Sequence, residues 1–147
     1  MLERFRQSKQ KEIARLQDLQ AADCFPKPLQ IIRPGFAQAL QAHGPGAVIA
    51  EFKPASPSRG MINPDFRADQ AGAVFRAGGA AAISVLTEED HFQSSLDNLL
   101  VFQPFGLPLL RKDFIIDPLQ VRHTAATPAS ALLVIVRMFS GQADRLK

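Results

Sequence analysis

Residues 47–60 read AVIAEFKPASPSRG, an apolar run that ends in two charged side chains and then in a turn-rich loop. The run AVIAEF has the length and composition of a buried β-strand. Glu51 and Lys53 stand two residues apart at its carboxyl end, so both side chains lie on one face of the strand. An acid at that place is expected where a strand opens into a polar cleft, because functional groups of parallel α/β folds collect at the carboxyl ends of the strands.

Three more apolar runs follow, with helix-like segments between them. None of the runs alternates cleanly with polar residues, which is typical of parallel strands covered on both faces. Asn63-Pro64 and Asp117-Pro118 each place a capping side chain before a proline, so both predict helix starts, and Gly78-Gly79 predicts a helix end. The predicted strands are AVIAEF (47–52), AAISVL (81–86), LPLL (107–110) and ALLVIV (131–136), and the predicted second and third crossover helices are SLDNLLVFQ (95–103) and DPLQVRHTAA (117–126).

The resulting order is β-α-β-α-β-α-β, and SGQADRLK (140–147) begins a fourth crossover helix. This order predicts the α/β class. A closed (β/α)₈ barrel takes about 250 residues, so a chain of 147 residues with four βα units is either half a barrel or a small open sheet. We predict a single domain, with an N-terminal helical extension over residues 1–46 and the four units over 47–147.

Composition and charge exclude several classes of protein. Lys and Arg number 17 against 14 Asp and Glu, and they form no basic stripe, so we expect no nucleic-acid partner. The small excess of positive charge is compatible with a small anionic ligand. No run approaches about 20 apolar residues, and the N-terminus lacks a signal-peptide core, so we expect a cytoplasmic protein without a membrane span. Cys24 is the only cysteine and the three histidines lack metal-ligand spacing, so we expect no disulfide and no metal.

The third predicted strand repeats the arrangement of the first, with Lys112 near its carboxyl end. If the two strands are neighbours, Glu51, Lys53 and Lys112 converge at one mouth, where opposite charges keep one another ionised. Such a group can donate and accept protons, or it can be an ion pair with no catalytic task. Phe92 and Phe114 fall just past strand ends, where they either flank a planar ligand or pack. The loop PASPSRG is either an anion site or a plain turn.

Two blocks, EFKPASPSRG (51–60) and LLRKDFIIDP (109–118), resemble the indole-3-glycerol phosphate synthase family in order and spacing, together with AAAISVLTEEDHFQSSLDNL and ALLVIV. The resemblance covers nearly the whole chain and matches the N-terminal half of the family pattern. It implies a TIM-barrel enzyme of tryptophan biosynthesis, a carboxy-lyase that needs no cofactor. The family converts 1-(2-carboxyphenylamino)-1-deoxyribulose 5-phosphate, a small anionic phosphosugar, into indole-3-glycerol phosphate with loss of carbon dioxide and water.

The resemblance also implies roles for individual residues. Lys112 matches the family's general acid at the substrate ketone. Glu51 and Lys53 match the glutamate and lysine of substrate anchoring and later proton transfer. The positions matching substrate-binding residues are Ser56, Phe92, Phe114 and Leu133.

Strands five to eight of the family pattern, and its phosphate-binding loops, have no counterpart in the 147 residues. We therefore expect a half-barrel that is weak or inactive as an enzyme by itself. A non-catalytic half-barrel, acting in assembly or in anion binding, is the alternative function. Strands one and four would present unpaired backbone groups, so we expect the chain either to associate with itself or to be unstable.

Overall fold

A parallel sheet of four strands forms the centre of the structure. The computed structural model describes residues 2–139. The strands are β1 (Ile49–Phe52), β2 (Ala55–Ser56), β3 (Gly60–Met61), β4 (Ala82–Leu86), β5 (Leu109–Lys112) and β6 (Ala131–Leu132). The helices are α1 (Leu2–Ala21), α2 (Phe36–His43), α3 (Ala68–Ala77), α4 (Asn98–Phe102) and α5 (Pro118–Ala125), and 3₁₀ turns lie at Gln103–Phe105 and Val136–Phe139.

The main sheet has the order β1-β4-β5-β6, and each neighbouring pair is parallel. This confirms the α/β class and the parallel arrangement predicted from the continuous apolar runs. The strands that carry Glu51 and Lys112 are not neighbours, however, because β4 lies between β1 and β5. The register pairs Glu51 with Ser84, and Leu86 with Lys112.

The two faces of this sheet have different surroundings. One face packs against the helices, where Phe52, Ile83, Val85 and Leu109 join Leu99 and Phe102 in one buried apolar cluster. Side chains alternate along a strand, so the residues between these positions project to the opposite face. That opposite face, called here the inner face, carries Glu51, Ser84 and Lys112.

Helix α1 packs on α5 and on the segments that follow β5 and β6 rather than projecting from the rest of the structure. Ile13 joins Ile116, Met138 and Phe139 in a second buried apolar cluster. Leu16 is fully buried. The guanidinium of Arg6 donates to the carbonyl oxygen of Met138. The N-terminal helix is therefore tied to the chain segments that follow β5 and β6.

The prediction for the last strand was wrong in extent. We predicted ALLVIV, residues 131–136, but only Ala131 and Leu132 pair with β5. A 3₁₀ turn begins at Val136, and its Met138 and Phe139 are buried against α1. Burial of these two side chains explains why the chain turns there instead of continuing along β5.

The helix start predicted at Asn63-Pro64 was also wrong. Asn63 Oδ1 accepts a hydrogen bond from the Asp65 amide in a local turn, and α3 begins at Ala68, four residues after Pro64. Gln70 caps the new start by accepting from the Arg67 amide. The predicted end of this helix at Gly78-Gly79 is confirmed, with Gly79 at φ +76°.

Other predicted boundaries had mixed outcomes. Asp117 caps α5 as predicted, accepting from the Leu119 amide at 2.8 Å. The second crossover helix is shorter than predicted, because α4 covers only Asn98–Phe102 and then tightens into a 3₁₀ turn. The helix predicted over 140–147 lies outside the described residues. Among residues 2–139, no helix combines the length and the apolar character needed to cross a membrane.

Candidate active site at the carboxyl end of the sheet

Glu51, Lys53 and Lys112 meet at the carboxyl end of the main sheet. Glu51 lies on β1, and Lys53 follows that strand on the same face, with its Nζ 3.3 Å from Glu51 Oε1. Lys112 ends β5, and its Nζ donates to Glu51 Oε2. The ion pair therefore joins the two strands on either side of β4. The predicted convergence of the three side chains is present, although the strands are one further apart than predicted.

The two ammonium groups keep Glu51 ionised. Burial alone would raise the pKa of Glu51, but the hydrogen bond and charge of Lys112, followed by those of Lys53, bring that pKa below its usual value. All three side chains remain about a third exposed, at 29% for Glu51, 37% for Lys53 and 38% for Lys112. A ligand can therefore reach them from solvent.

Apolar side chains line the space beside the three charges. Glu51, Lys53 and Lys112 border a cavity of ≈ 110 Å³. Rings of Phe92 and Phe114 stand 6.3 Å apart at its wall. The remaining apolar lining comes from Leu86, Leu133 and Ile135. Three of the predicted binding residues, Phe92, Phe114 and Leu133, thus border the same cavity as the charged group.

Ser56 lies apart from this cavity. It belongs to β2, which pairs with β3 in a short antiparallel hairpin formed by the PASPSRG loop. Gly60 has φ +64° there, a conformation that favours glycine. The loop is thus a hairpin turn, and Ser56 does not line the cavity bordered by Glu51 and the two lysines.

Phe5 of α1 is a neighbour of the site that sequence reasoning missed. Its ring stacks on Phe114 with centroids 4.1 Å apart, and it lies 6.2 Å from the ring of Phe92. Phe5 is buried. The helical spacing of Phe5 indicated a packed face of α1, but nothing in the sequence indicated which part of the sheet that face covers.

A buried ion-pair network joins α1 to β5. It is called here the α1–β5 network and is made of Lys9, Glu12, Arg111 and Asp113. Lys9 Nζ is 2.6 Å from Asp113 Oδ1 and 2.9 Å from Glu12 Oε2. Arg111 Nη2 is 2.9 Å from Glu12 Oε1 and 3.0 Å from Asp113 Oδ2. Because Arg111 and Asp113 flank Lys112 in sequence, the network fixes the backbone on both sides of that lysine.

The loop after β4 is held by a buried carboxylate. Glu88 is 1% exposed, and its Oε2 accepts from the amides of His91 at 2.7 Å and Phe92 at 3.1 Å. Its other oxygen lies 3.1 Å from His91 Nδ1. Ser94 adds a hydrogen bond to the carbonyl oxygen of Leu86. These contacts fix the position of the Phe92 ring at the cavity wall.

This arrangement has the parts needed for acid–base chemistry. An ammonium group beside a cavity stabilises negative charge that develops on an oxygen and can give up a proton to it. The carboxylate next to it can accept a proton. Apolar walls at the same cavity suit the flat apolar part of a ligand.

Comparisons with known proteins agree with this arrangement. A sequence model described as indole-3-glycerol phosphate synthase matches residues 2–146. An indole-3-glycerol phosphate synthase from Dehalococcoides mccartyi is 53% identical over 97 residues, which are 63% of this chain and 38% of the relative. One from Acinetobacter baylyi is 46% identical over 109 residues, covering 74% of this chain and 40% of the relative.

A third relative aligns with all of the chain. Indole-3-glycerol phosphate synthase 2 from Ralstonia nicotianae is 38% identical over 156 aligned positions, covering 100% of this chain and 58% of the relative. The chain thus spans between 38% and 58% of the length of these relatives.

Proposed function

The chain belongs to the indole-3-glycerol phosphate synthase family, and from that premise we propose that Glu51, Lys53 and Lys112 carry out the acid–base steps of indole-3-glycerol phosphate formation. The substrate is then 1-(2-carboxyphenylamino)-1-deoxyribulose 5-phosphate. The observation that supports this most is the direct contact of Glu51 with both lysines at the border of an apolar cavity.

Lys112 is proposed as the general acid of ring closure. When the aromatic ring attacks the substrate ketone, the ketone oxygen becomes a developing alkoxide. The Lys112 ammonium stabilises that charge and donates a proton, so the oxygen becomes a hydroxyl group. Carbon dioxide then leaves the ring carbon and the aromatic system is restored.

Glu51 and Lys53 are proposed for substrate anchoring and for the loss of water that follows. Departure of the hydroxyl group requires an acid that protonates it and a base that removes a ring proton. A carboxylate and an ammonium 3.3 Å apart on one strand face supply both groups. We assign Phe92, Phe114 and Leu133 to the aromatic part of the substrate, and Ser56, on the hairpin after β1, to substrate binding.

We further infer that the four parallel strands are the first four of a TIM barrel, with residues 1–46 as a helical extension. Both outer strands, β1 and β6, lack a second sheet neighbour among residues 2–139. The unpaired N–H and C=O groups of such an edge strand can form hydrogen bonds with a strand of another chain. We propose that copies of this chain associate through these edges.

A turnover assay tests the catalytic proposal. Formation of indoleglycerol phosphate is followed by its indole fluorescence, against a protein background that contains neither Trp nor Tyr. Replacement of the general acid in Lys112→Met is expected to lower the rate by about 10²–10⁴-fold. Lys27→Met is the matched control, because Lys27 is an exposed lysine in the segment between α1 and α2; its rate should equal that of the wild type.

Two results would contradict the proposal. The first is a measurable wild-type turnover that Lys112→Met leaves unchanged. The second is a folded wild-type protein that binds the substrate without converting it, which would favour the alternative of a non-catalytic anion-binding half-barrel.

A further inference from the structure

Ser84 has a buried hydroxyl group with no hydrogen-bond partner among the described residues. It lies in the middle of β4 and is 5% exposed. A buried polar group without a partner costs free energy. The hydroxyl group of Ser84 could recover this free energy if it found a partner in another arrangement of the neighbouring side chains.

The register places Ser84 beside the candidate active site. Its partner on β1 is Glu51, and its partner on β5 is Leu110. Ile83 and Val85, on either side of Ser84, belong to the buried cluster on the helix side of the sheet. Ser84 therefore projects to the inner face, which also carries Glu51.

The ion pair between Lys112 and Glu51 runs across β4. It joins β1 to β5, and β4 lies between these strands, so the two side chains meet over the inner face of β4. Ser84 lies on that face, level with Glu51, and Leu86 lies level with Lys112. In this arrangement both carboxylate oxygens of Glu51 already have ammonium partners, whereas the Ser84 hydroxyl has no hydrogen-bond partner within residues 2–139.

When Lys112 extends to a substrate and gives up its proton, its ammonium charge no longer holds Glu51. The carboxylate, which is 29% exposed, then loses its closest donor and keeps Lys53. Asp113 also borders the cavity, but it is a carboxylate and is paired with Lys9 and Arg111. Within residues 2–139, the two lysines are therefore the only charged groups at this cavity that can pair with the Glu51 carboxylate.

We infer that Ser84 is a positioning residue for Glu51, whose hydroxyl group donates to the carboxylate when Lys112 moves to the substrate. Neighbouring strands lie about 4.8 Å apart, so a hydroxyl and a carboxylate at paired positions on one face come within reach by side-chain rotation. The catalytic role of Ser84 rests on the proposed function, but the contact between Ser84 and Glu51 can be tested without measuring turnover.

The test uses the full chain in which Lys112→Met imitates the withdrawn lysine. Glu51 is titrated by carbon NMR of labelled glutamate carboxyl groups, with Glu51→Gln used for assignment. Adding Ser84→Ala to Lys112→Met should raise the measured pKa of Glu51 further, by roughly 1, because a donor to the charged form is lost. Ser130→Ala is the matched control, since Ser130 is another buried hydroxyl without a partner among residues 2–139 and lies just before β6.

The outcomes separate this inference from the proposed function. Identical titrations of Glu51 in Lys112→Met with and without Ser84→Ala would overturn the role of Ser84, even if turnover depends on Lys112. A higher pKa in the double variant supports that role, even if the chain shows no turnover. In an active protein, Ser84→Ala should lower kcat and leave KM unchanged, and an unchanged kcat would contradict the inference.

Discussion

Asp113 contacts both cations of the α1–β5 network. Its side chain is 1% exposed and contacts both Lys9 and Arg111, and the hydroxyl of Thr87 donates to it at 2.6 Å. Burial alone would raise the pKa of Asp113, but the charges of Lys9 and Arg111 bring it below its usual value. Since Asp113 follows Lys112 directly, the stability of this network and the position of the proposed general acid depend on the same side chain.

We predict that Asp113→Asn destabilises the protein by about 3 kcal/mol. The substitution leaves Lys9 and Arg111 buried with Glu12 as their one remaining carboxylate in the network. The measurement is the free energy of unfolding in urea, followed by far-ultraviolet circular dichroism at pH 7. Asp69→Asn is the control, because the Asp69 ion pair with Arg67 is exposed and its loss should leave stability nearly unchanged. Equal effects of the two substitutions would contradict the prediction.

Glu51, Lys53 and Lys112 could be placed together from sequence for two reasons. Side chains alternate along a strand, and functional side chains of parallel α/β folds collect at the carboxyl ends of the strands. Phe5 and the α1–β5 network could not be predicted in the same way. Those contacts depend on how α1 docks, and the sequence of an amphipathic helix shows which face is buried without showing what covers it. Ser56 was assigned from the family resemblance alone, and the local hairpin sets it apart from the cavity.

At the scale of single elements, α3 packs closely against the 3₁₀ turn that follows α4. Gly72 of α3 is buried beneath the ring of Phe105. A Cβ atom added at Gly72 would lie 2.2 Å from Phe105 Cε2, well inside van der Waals contact. The missing side chain allows this close approach of helix and turn.

We expect Gly72→Ala to destabilise the protein by about 1–3 kcal/mol, because the overlap forces Phe105 out of its packed position. This is the opposite of the gain of about 1 kcal/mol that Ala gives over Gly in an unhindered helix. A double-mutant cycle measured by urea unfolding is the check. In a Phe105→Ala background, Gly72→Ala should become neutral or stabilising, and additive effects would disprove the proposed overlap.

The docking of α1 is expected to weaken in acid. Burial opposes ionisation of Glu12 and Asp113, but Lys9 and Arg111 lower the pKa of both carboxyls below their usual values. Carboxyls with a lower pKa in the folded state stabilise it fully above their unfolded pKa, which is about 4, and lose that contribution as pH falls through the folded pKa. The contribution of these two carboxyls to stability should thus be level from pH 7 to about 5 and fall below about 4.

Urea unfolding at a series of pH values tests this expectation. Glu12→Gln should be less stable at pH 7 but should lose less stability on acidification, because one of the titrating groups is gone. A variant with the same acid dependence as the wild type would contradict the assignment of that dependence to the network.

The order of elements could be predicted from sequence, and several of their ends could not. Four apolar runs marked the four parallel strands, because apolar strands differ clearly from the polar segments between them, but β5 covers Leu109–Lys112 rather than the predicted residues 107–110. β6 is shorter than its apolar run because Met138 and Phe139 pack against α1, and α3 starts late because Asn63 forms a turn of its own. Both errors arise from contacts that local sequence patterns do not contain.

At the scale of the whole molecule, the two outer strands of the sheet are exposed. Val48 and Ile49 at β1 are 58% and 42% exposed, and Val134 and Val136 after β6 are 39% and 69% exposed. Apolar residues beside unpaired strand edges favour association. This is the physical basis for the proposed self-association.

We predict a concentration-dependent increase in mass in sedimentation experiments. Val48→Lys should shift the population toward the monomer, because a charged side chain on an edge strand opposes pairing. Val74→Lys, at an exposed valine of a helix rather than of a strand, is the control and should not change the mass. A folded wild-type monomer whose mass is the same at every concentration would contradict self-association.

The proposed site depends above all on the meeting of Glu51 and Lys112 over the inner face of β4. The most direct test is the NMR titration of Glu51 in the wild type and in Lys112→Met. The pKa of Glu51 should lie below its usual value in the wild type and rise when the Lys112 hydrogen bond and charge are removed. A wild-type value at or above the usual one, unchanged by Lys112→Met, would show that the two side chains do not share one site.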